Sequence, residues 1–227
     1  MAGKHQTYFI TGTDTGVGKT WFSCALLEAA SNAGFRCAAI KPLAAGARAT
    51  EQGLRNDDAL ALQQSMSVKL PYEQVNPVCF EPAIAPHIAA ARAGKTMTVN
   101  RLAGFCRGLM MQKADLTLVE GAGGWYVPVN GREYLSCLPA QLNMPVILVV
   151  AMRLGCLNHA LLTAQAIQAD RVSLAGWVAN QVDPGMVCYR ENLETLQAMM
   201  PAPMLAELPY AGNRSGAIRL ERFLPMG

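Results

Sequence analysis

Short apolar runs rich in β-branched residues alternate along the chain with longer stretches whose apolar positions recur every three or four residues. The first kind predicts strands at Thr7–Thr11 (TYFIT), Arg36–Lys41 (RCAAIK), Asp115–Glu120 (DLTLVE), Pro145–Ala151 (PVILVVA), Ser173–Ala179 (SLAGWVA) and about Pro203–Leu208. The second predicts helices from Lys19 to about Ala33, closed by Gly34, and over 56–66, 86–93, 98–113, 156–169 and 185–200. The stretch after Lys41 is looser. Strands that are apolar throughout, joined by helices, imply a mostly parallel sheet covered on both faces. No internal repeat, low-complexity tract or linker interrupts the pattern, so one α/β domain is expected over residues 1–227.

Composition narrows the function classes. Hydrophobic residues make up 52% of the 227 and charged residues only 15%, which excludes a disordered chain, a nucleic-acid tail and a coiled coil. The longest apolar run, 146–152 (VILVVAM), is far short of the roughly 20 residues that span a bilayer. The start, MAGKHQTYFITG, lacks the long apolar run of a secretory leader. A net charge of +3 is too small to imply an anionic partner, so neither nucleic acid nor membrane is expected. Seven scattered cysteines without a C-x-x-C pair suit a reducing compartment, and a cytoplasmic location is expected. Cysteine ligation of a metal is disfavoured, since no pair has ligand spacing and His5, His87 and His159 lie far apart.

The strongest chemical signal is GTDTGVGKT, residues 12–20, directly after the first strand and opening the first helix. Glycines let the backbone wrap a phosphate chain, and the helix start adds free N–H groups and a favourable dipole. Lys19 would offer a cation to the terminal phosphates and Thr20 a hydroxyl to Mg²⁺. The strict motif has four residues between its first Gly and the GK pair, and Gly12 leaves five. Such a loop makes the expected fold P-loop NTPase-like. Glu120 ends an apolar strand, where open α/β sheets bind ligands; it is either a metal ligand or a solvated strand-end carboxylate, and the loop favours the first. Asp57 and Asp58 are equally an ordinary helix start. Lys41, kept extended by Pro42, points toward the same edge and is either functional or solvated. Gly155–His159 opens a second helix after a strand, another possible anion seat, with His159 itself read as a surface or capping residue.

Several strings in order resemble the dethiobiotin synthetase family: GTDTGVGKT, the KP pair at 41–42, GLRNDDALALQ, VNPVCFEPAIAPHIAA, VEGAGGW, PVILVVAMRLGCLNHALLTAQ, LAGWVAN and PAPMLAELP. The resemblance covers about residues 7–210. It implies ATP- and Mg²⁺-dependent joining of CO₂, drawn from bicarbonate, to the two amines of 7,8-diaminopelargonate, closing the ureido ring of dethiobiotin with release of ADP and phosphate. The implied route runs through a carbamate and a carbamic–phosphoric anhydride. By position, Lys19 and Lys41 would face the γ-phosphate and the carbamate, with Thr15 near the substrate nitrogens. Thr20, Asp58 and Glu120 match the Mg²⁺ set. Gly16, Val17, Gly18 and Trp21 complete the phosphate loop, with Gly121, Ala122 and Gly123 beside it. Asn180 matches the adenine-reading amide, followed by Gln181, with Pro209, Tyr210 and Ala211 lining the base. Gly155, Cys156, Leu157 and Asn158 resemble the helix start that receives the substrate carboxylate from a partner subunit, which implies a homodimer with shared sites.

The chain departs from the family at three places. Ala45 stands where relatives often carry a serine hydroxyl near the diamine, a loss of roughly 0.5–1.5 kcal/mol if no water replaces it. Gln181 replaces a common aspartate, and loose base selectivity is expected from it. The tail from Gly212 on is short and poorly matched, and no nucleotide contact is expected there. The rival reading is an ATP-gated dimeric switch of the plasmid-partitioning and division-site type, which shares the chain plan. That type carries a signature lysine four residues before the last loop glycine, and Asp14 stands there instead. The sparse charge itself fits a sheet buried on both faces and a dimer that hides further apolar surface.

Overall fold

The apolar runs lie side by side in one sheet, and the helix-period stretches fold back over it. The computed structural model describes residues 5–225; Met1–Lys4, where no secretory leader is expected, and Met226–Gly227 lie outside the described residues. From the amino end come β1 (Gln6–Gly12), α1 (Lys19–Asn32) and β2 (Cys37–Ile40). The looser stretch holds β3 (Ala44–Ala45), a hairpin of β4 (Arg48–Thr50) and β5 (Gly53–Arg55), α2 (Asp57–Ser65) and α3 (Tyr72–Val75). It continues through β6 (Cys79–Phe80), α4 (Pro86–Arg92) and α5 (Val99–Met110). The alternation then resumes with β7 (Leu116–Glu120), α6 (Cys137–Leu142), β8 (Val146–Met152) and α7 (Cys156–Ala169). It closes with β9 (Leu174–Gln181), α8 (Tyr189–Met199) and β10 (Met204–Leu208).

The main sheet runs β10-β9-β8-β1-β7-β2, and every neighbouring pair is parallel. Strand alternation divides its side chains between two cores. Ile147, Val149 and Ala151 of β8 face the larger one, with Phe22, Leu26 and Leu27 of α1. Leu148, Val150 and Met152 face a second core with Ala160 and Ala164 of α7, Trp177 of β9, and Leu193 and Leu196 of α8. Both faces are therefore covered, as the unbroken apolar runs predict. No helix among the described residues is long and apolar enough to cross a membrane.

Differences from the expected elements have local causes. The helix expected from 185 begins at Tyr189, because the Asp183 carboxylate accepts from the Gly185 N–H at 2.8 Å and holds a turn there. The helix expected to reach 113 stops at Met110, and Lys113 takes a positive φ of 49°. α3 and α6 were not expected, being too short to display a helical period. The β4–β5 hairpin has a largely exposed surface and no apolar alternation to betray it. Caps do match their residue types: Asn56 Oδ1 accepts from the Ala59 N–H at the start of α2, and Thr98 Oγ1 from the Arg101 N–H at the start of α5.

All six strands of the sheet point the same way, so their carboxyl ends share one edge, the edge that receives ligands in open α/β sheets. The tail crosses back to the core. Phe223 and Leu224 are buried, Phe223 lies 5.9 Å from the ring of Phe22, and Tyr8 donates its hydroxyl to the Phe223 carbonyl at 2.9 Å. The segment after Ile218 therefore closes one face of α1. Truncating Phe223→Ala is expected to cost about 3–5 kcal/mol, as for a buried aromatic elsewhere, measured by denaturant unfolding. An unchanged midpoint would show that the tail packs without contributing.

Candidate active site

The loop between β1 and α1 is shaped by close approach. A Cβ on Gly18, whose φ is 92°, would collide with the Asn180 amide, and one on Gly12 would collide with the side chain of Val17. Only glycine fits at either place. Val17 is buried beneath the loop, and Asn180 Nδ2 from the end of β9 donates to its carbonyl at 2.9 Å. α1 starts with no side-chain cap, so its first N–H groups are free to meet an anion. Beside Gly16 the space is open. Lys19 folds back over this space, donating to the carbonyls of Gly123 at 2.6 Å and Asp14 at 3.1 Å. Burial lowers its pKa to about 8, against the opposing pull of Glu120. Thr15 sits on the exposed outer side, its N–H bonded to Asp14 Oδ1.

Next to the loop lies a cluster of charge. Glu120, at the end of β7, is fully buried and accepts three side-chain hydrogen bonds. Thr20 and Lys41 donate to Oε1 at 2.7 and 2.8 Å, and Ser23 to Oε2 at 2.9 Å. Lys41, just past β2 and itself buried, also reaches Asp58 Oδ2 at 2.7 Å from the first turn of α2. Burial works against the Lys41 ammonium, yet Glu120 and then Asp58 outweigh it and hold its pKa above the usual lysine value. Burial likewise works against the Asp58 carboxylate, and Lys41 outweighs it and holds the pKa below 3.8.

The donor set suits magnesium. Thr20, Asp58 and Glu120 offer oxygen only, carry two negative charges and face a cation already. Among the described residues no three His, Cys, Asp or Glu side chains gather around a point, so an ion here would complete its shell with water and ligand oxygens.

A cleft of about 890 Å³ opens over the loop and the cluster. Thr15, Gly16, Gly18, Lys19, Thr20, Trp21, Lys41, Ala45, Asp58, Ala122 and Gly123 all border it. Much of its lining is apolar, from Ala83–Pro86 and from Tyr126–Pro128. Gly121 lies beneath, where a Cβ would press on the Phe9 ring. Asn180 sits under the loop, while Gln181, Pro209, Tyr210 and Ala211 follow the next strand ends outside the cleft lining, with Tyr210 54% exposed. Gly155, Cys156, Leu157 and Asn158 also lie outside it, at the start of α7 beside Leu154, which is 97% exposed.

Two residues of this site carry no earlier assignment. Ser23 is one helical turn beyond Thr20, a spacing that places both hydroxyls on one face of α1. Arg214 comes from the tail, into which no nucleotide contact is carried. It borders the cleft, stacks 4.4 Å from the Trp21 ring centre and pairs with Glu28 at 2.6 Å. Nothing in the spacing of the tail announces it.

Comparison with known proteins places the chain among P-loop proteins. A family model described as an AAA domain matches residues 6–215. The ATP-dependent dethiobiotin synthetase BioD of Marinobacter nauticus is 53% identical over 215 residues, covering 94% of this chain and 92% of the relative. That of Pseudomonas paraeruginosa is 56% identical over 210 residues, with 92% of each covered. Among solved structures, the signal recognition particle receptor FtsY of Elizabethkingia anophelis overlays with a TM-score of 0.61 at 15% identity, over 97% of this chain and 65% of the receptor. The septum site-determining protein MinD of Pyrococcus horikoshii, complexed with Mg-ADP, overlays with a TM-score of 0.53 at 17% identity, over 96% and 89%. These two likenesses establish the fold and nothing finer.

The Lys41 cluster makes its own prediction. In the parent, Asp58 contributes stability that is full above pH 3.8 and is lost as pH falls through its depressed pKa. In Lys41→Met the two carboxylates lose the cation that bridges them, so one pKa rises above its unfolded value and stability increases on acidification from pH 7 to pH 5. Melting temperature against pH reads both. A variant whose stability is flat over that range would show that the carboxylates do not depend on Lys41.

Proposed function

This chain belongs to the ATP-dependent dethiobiotin synthetases, and on that premise we propose how its residues form the ureido ring of dethiobiotin from 7,8-diaminopelargonate, CO₂ and ATP. One amine takes up CO₂ as a carbamate, releasing a proton. A carbamate oxygen attacks the γ-phosphorus, ADP leaves, and a carbamic–phosphoric anhydride results. The second amine attacks the anhydride carbonyl, loses a proton and expels phosphate, closing the ring.

The observation that carries this reading is the position of Lys41: a buried ammonium on the carboxyl edge, between two carboxylates and bordering the same cleft as Lys19. Phosphoryl transfer asks a protein mainly for alignment and charge neutralisation. Lys19 and Lys41 supply two cations for the γ-phosphate and the carbamate, and the N–H groups at the start of α1 receive the phosphate chain. Thr20, Asp58 and Glu120 would hold Mg²⁺, which when bound neutralises charge on the phosphate oxygens. Thr15 borders the cleft where the amines would lie, and Ala45 leaves that side without a hydroxyl. The apolar walls suit the alkyl chain of the diamine and keep water from the anhydride. Asn180, with Gln181, Pro209, Tyr210 and Ala211, is assigned to the base.

The substrate carboxylate needs a further seat. Gly155–Asn158 lies outside the chain's own cleft lining, next to the exposed Leu154, which supports a homodimer in which this helix start serves the partner's cleft. One domain spanning the chain, working in the cytoplasm, completes the proposal. The switch reading loses ground, because MinD shares only the fold while the synthetases share more than half of the sequence.

Phosphate release from Mg-ATP with bicarbonate is expected to require the diamine, and Lys41→Gln, destabilised but still folded, is expected to lower turnover by orders of magnitude. Release that ignores the diamine would refute the ligase reading, and near-normal turnover of the variant would return Lys41 to a structural role.

A further inference from the structure

Glu120 is held at both oxygens, and the three groups that hold it differ in what the reaction asks of them. On the proposed function, on which this inference rests, Thr20 turns its hydroxyl oxygen to the metal and Lys41 turns its ammonium to the transferred phosphate. Both stand on Oε1 in the ligand-free protein, at 2.7 and 2.8 Å. Ser23 stands on Oε2 at 2.9 Å and has no other duty. It is fully buried on α1, beyond the cleft lining.

We propose that Ser23 is the positioning residue of the metal seat: it keeps Glu120 aimed while Thr20 and Lys41 are handed over to the ligands. A carboxylate with two χ angles before its head group can swing once its partners leave, and a buried oxygen without a donor carries the full cost of desolvation. One retained hydrogen bond to Oε2 prevents both. It fixes the plane of the carboxylate and leaves the Oε1 lone pairs toward Thr20 and Lys41. Because Ser23 and Thr20 are one turn apart on the same helix, the phosphate loop and the metal ligand of β7 move as one body. The same helix that receives the phosphates at its first turn thus sets the orientation of Glu120 from its second.

Partners of metal ligands of this kind are worth about 10–100-fold in metal affinity or activity. The test uses Mn²⁺ as the probe, followed by the loss of its free electron-spin signal, in the full-length protein with ADP present. Ser23→Ala and Ser23→Cys, the second nearly isosteric, are both expected to bind Mn²⁺ at least 10-fold more weakly. Their affinity for ADP without metal stays as in the parent, and turnover recovers at high Mg²⁺. A purely structural role would lower the unfolding midpoint without moving the metal requirement. Binding of Mn²⁺ within twofold of the parent in either folded variant would overturn the proposal. A parent protein that makes no dethiobiotin would instead sink the reading of function, so the two failures are told apart.

Discussion

One buried ammonium between two carboxylates organises this protein. Lys41 leaves the end of β2, Glu120 the end of β7 and Asp58 the start of α2, and the buried pair of Lys41 and Glu120 stays charged by facing each other. Removing one partner from such a group leaves an uncompensated buried charge, a loss of about 3–5 kcal/mol in fully buried cases and less where, as at Asp58, water reaches the side chain. The cluster therefore fixes the spacing of the two strand ends and the docking of α2. It also stores a net negative charge beside the phosphate loop, where a divalent cation is needed. On the proposed function, the interaction that holds the ligand-free site together is the one that ligands rearrange.

The rest of the fold makes that arrangement possible by keeping buried charge to this one place among the described residues. Residues of β8 alternate between two apolar cores, so the body of the sheet has no polar side. Lys19, Lys41 and Glu120 are the buried charged side chains among the described residues, so a chain with 15% charged residues can still concentrate two lysines and two acids at one place. The cleft above is apolar at its walls and charged at its base. That contrast strengthens electrostatics in the site, because low-dielectric walls focus the field of the lysines on whatever lies between them.

Much of this was legible in the residues. The six sheet strands follow from apolar runs, and the phosphate loop from glycines at fixed spacing between a strand and a helix. Glu120 and Lys41 could be singled out from their places at strand ends, whereas Asp58 could be told from Asp57 only by the family resemblance. That Lys41 bridges the two acids could not, because it depends on β2 and β7 being neighbours, a pairing across about 80 residues of chain. Ser23 reads in sequence as one more small residue on a buried helix. Arg214 is invisible for a different reason: its place over Trp21 is set by the tail returning to α1 through Phe223 and Tyr8, which no local pattern encodes.

The central claim is that this edge passes a phosphoryl group to a carbamate oxygen and not to water. Bicarbonate labelled with ¹⁸O, given in ordinary water over times short against exchange, tests it directly by mass spectrometry of the released phosphate. Transfer through the carbamate predicts one labelled oxygen in each phosphate formed with the diamine. Unlabelled phosphate, released at the same rate as dethiobiotin forms, would contradict the account.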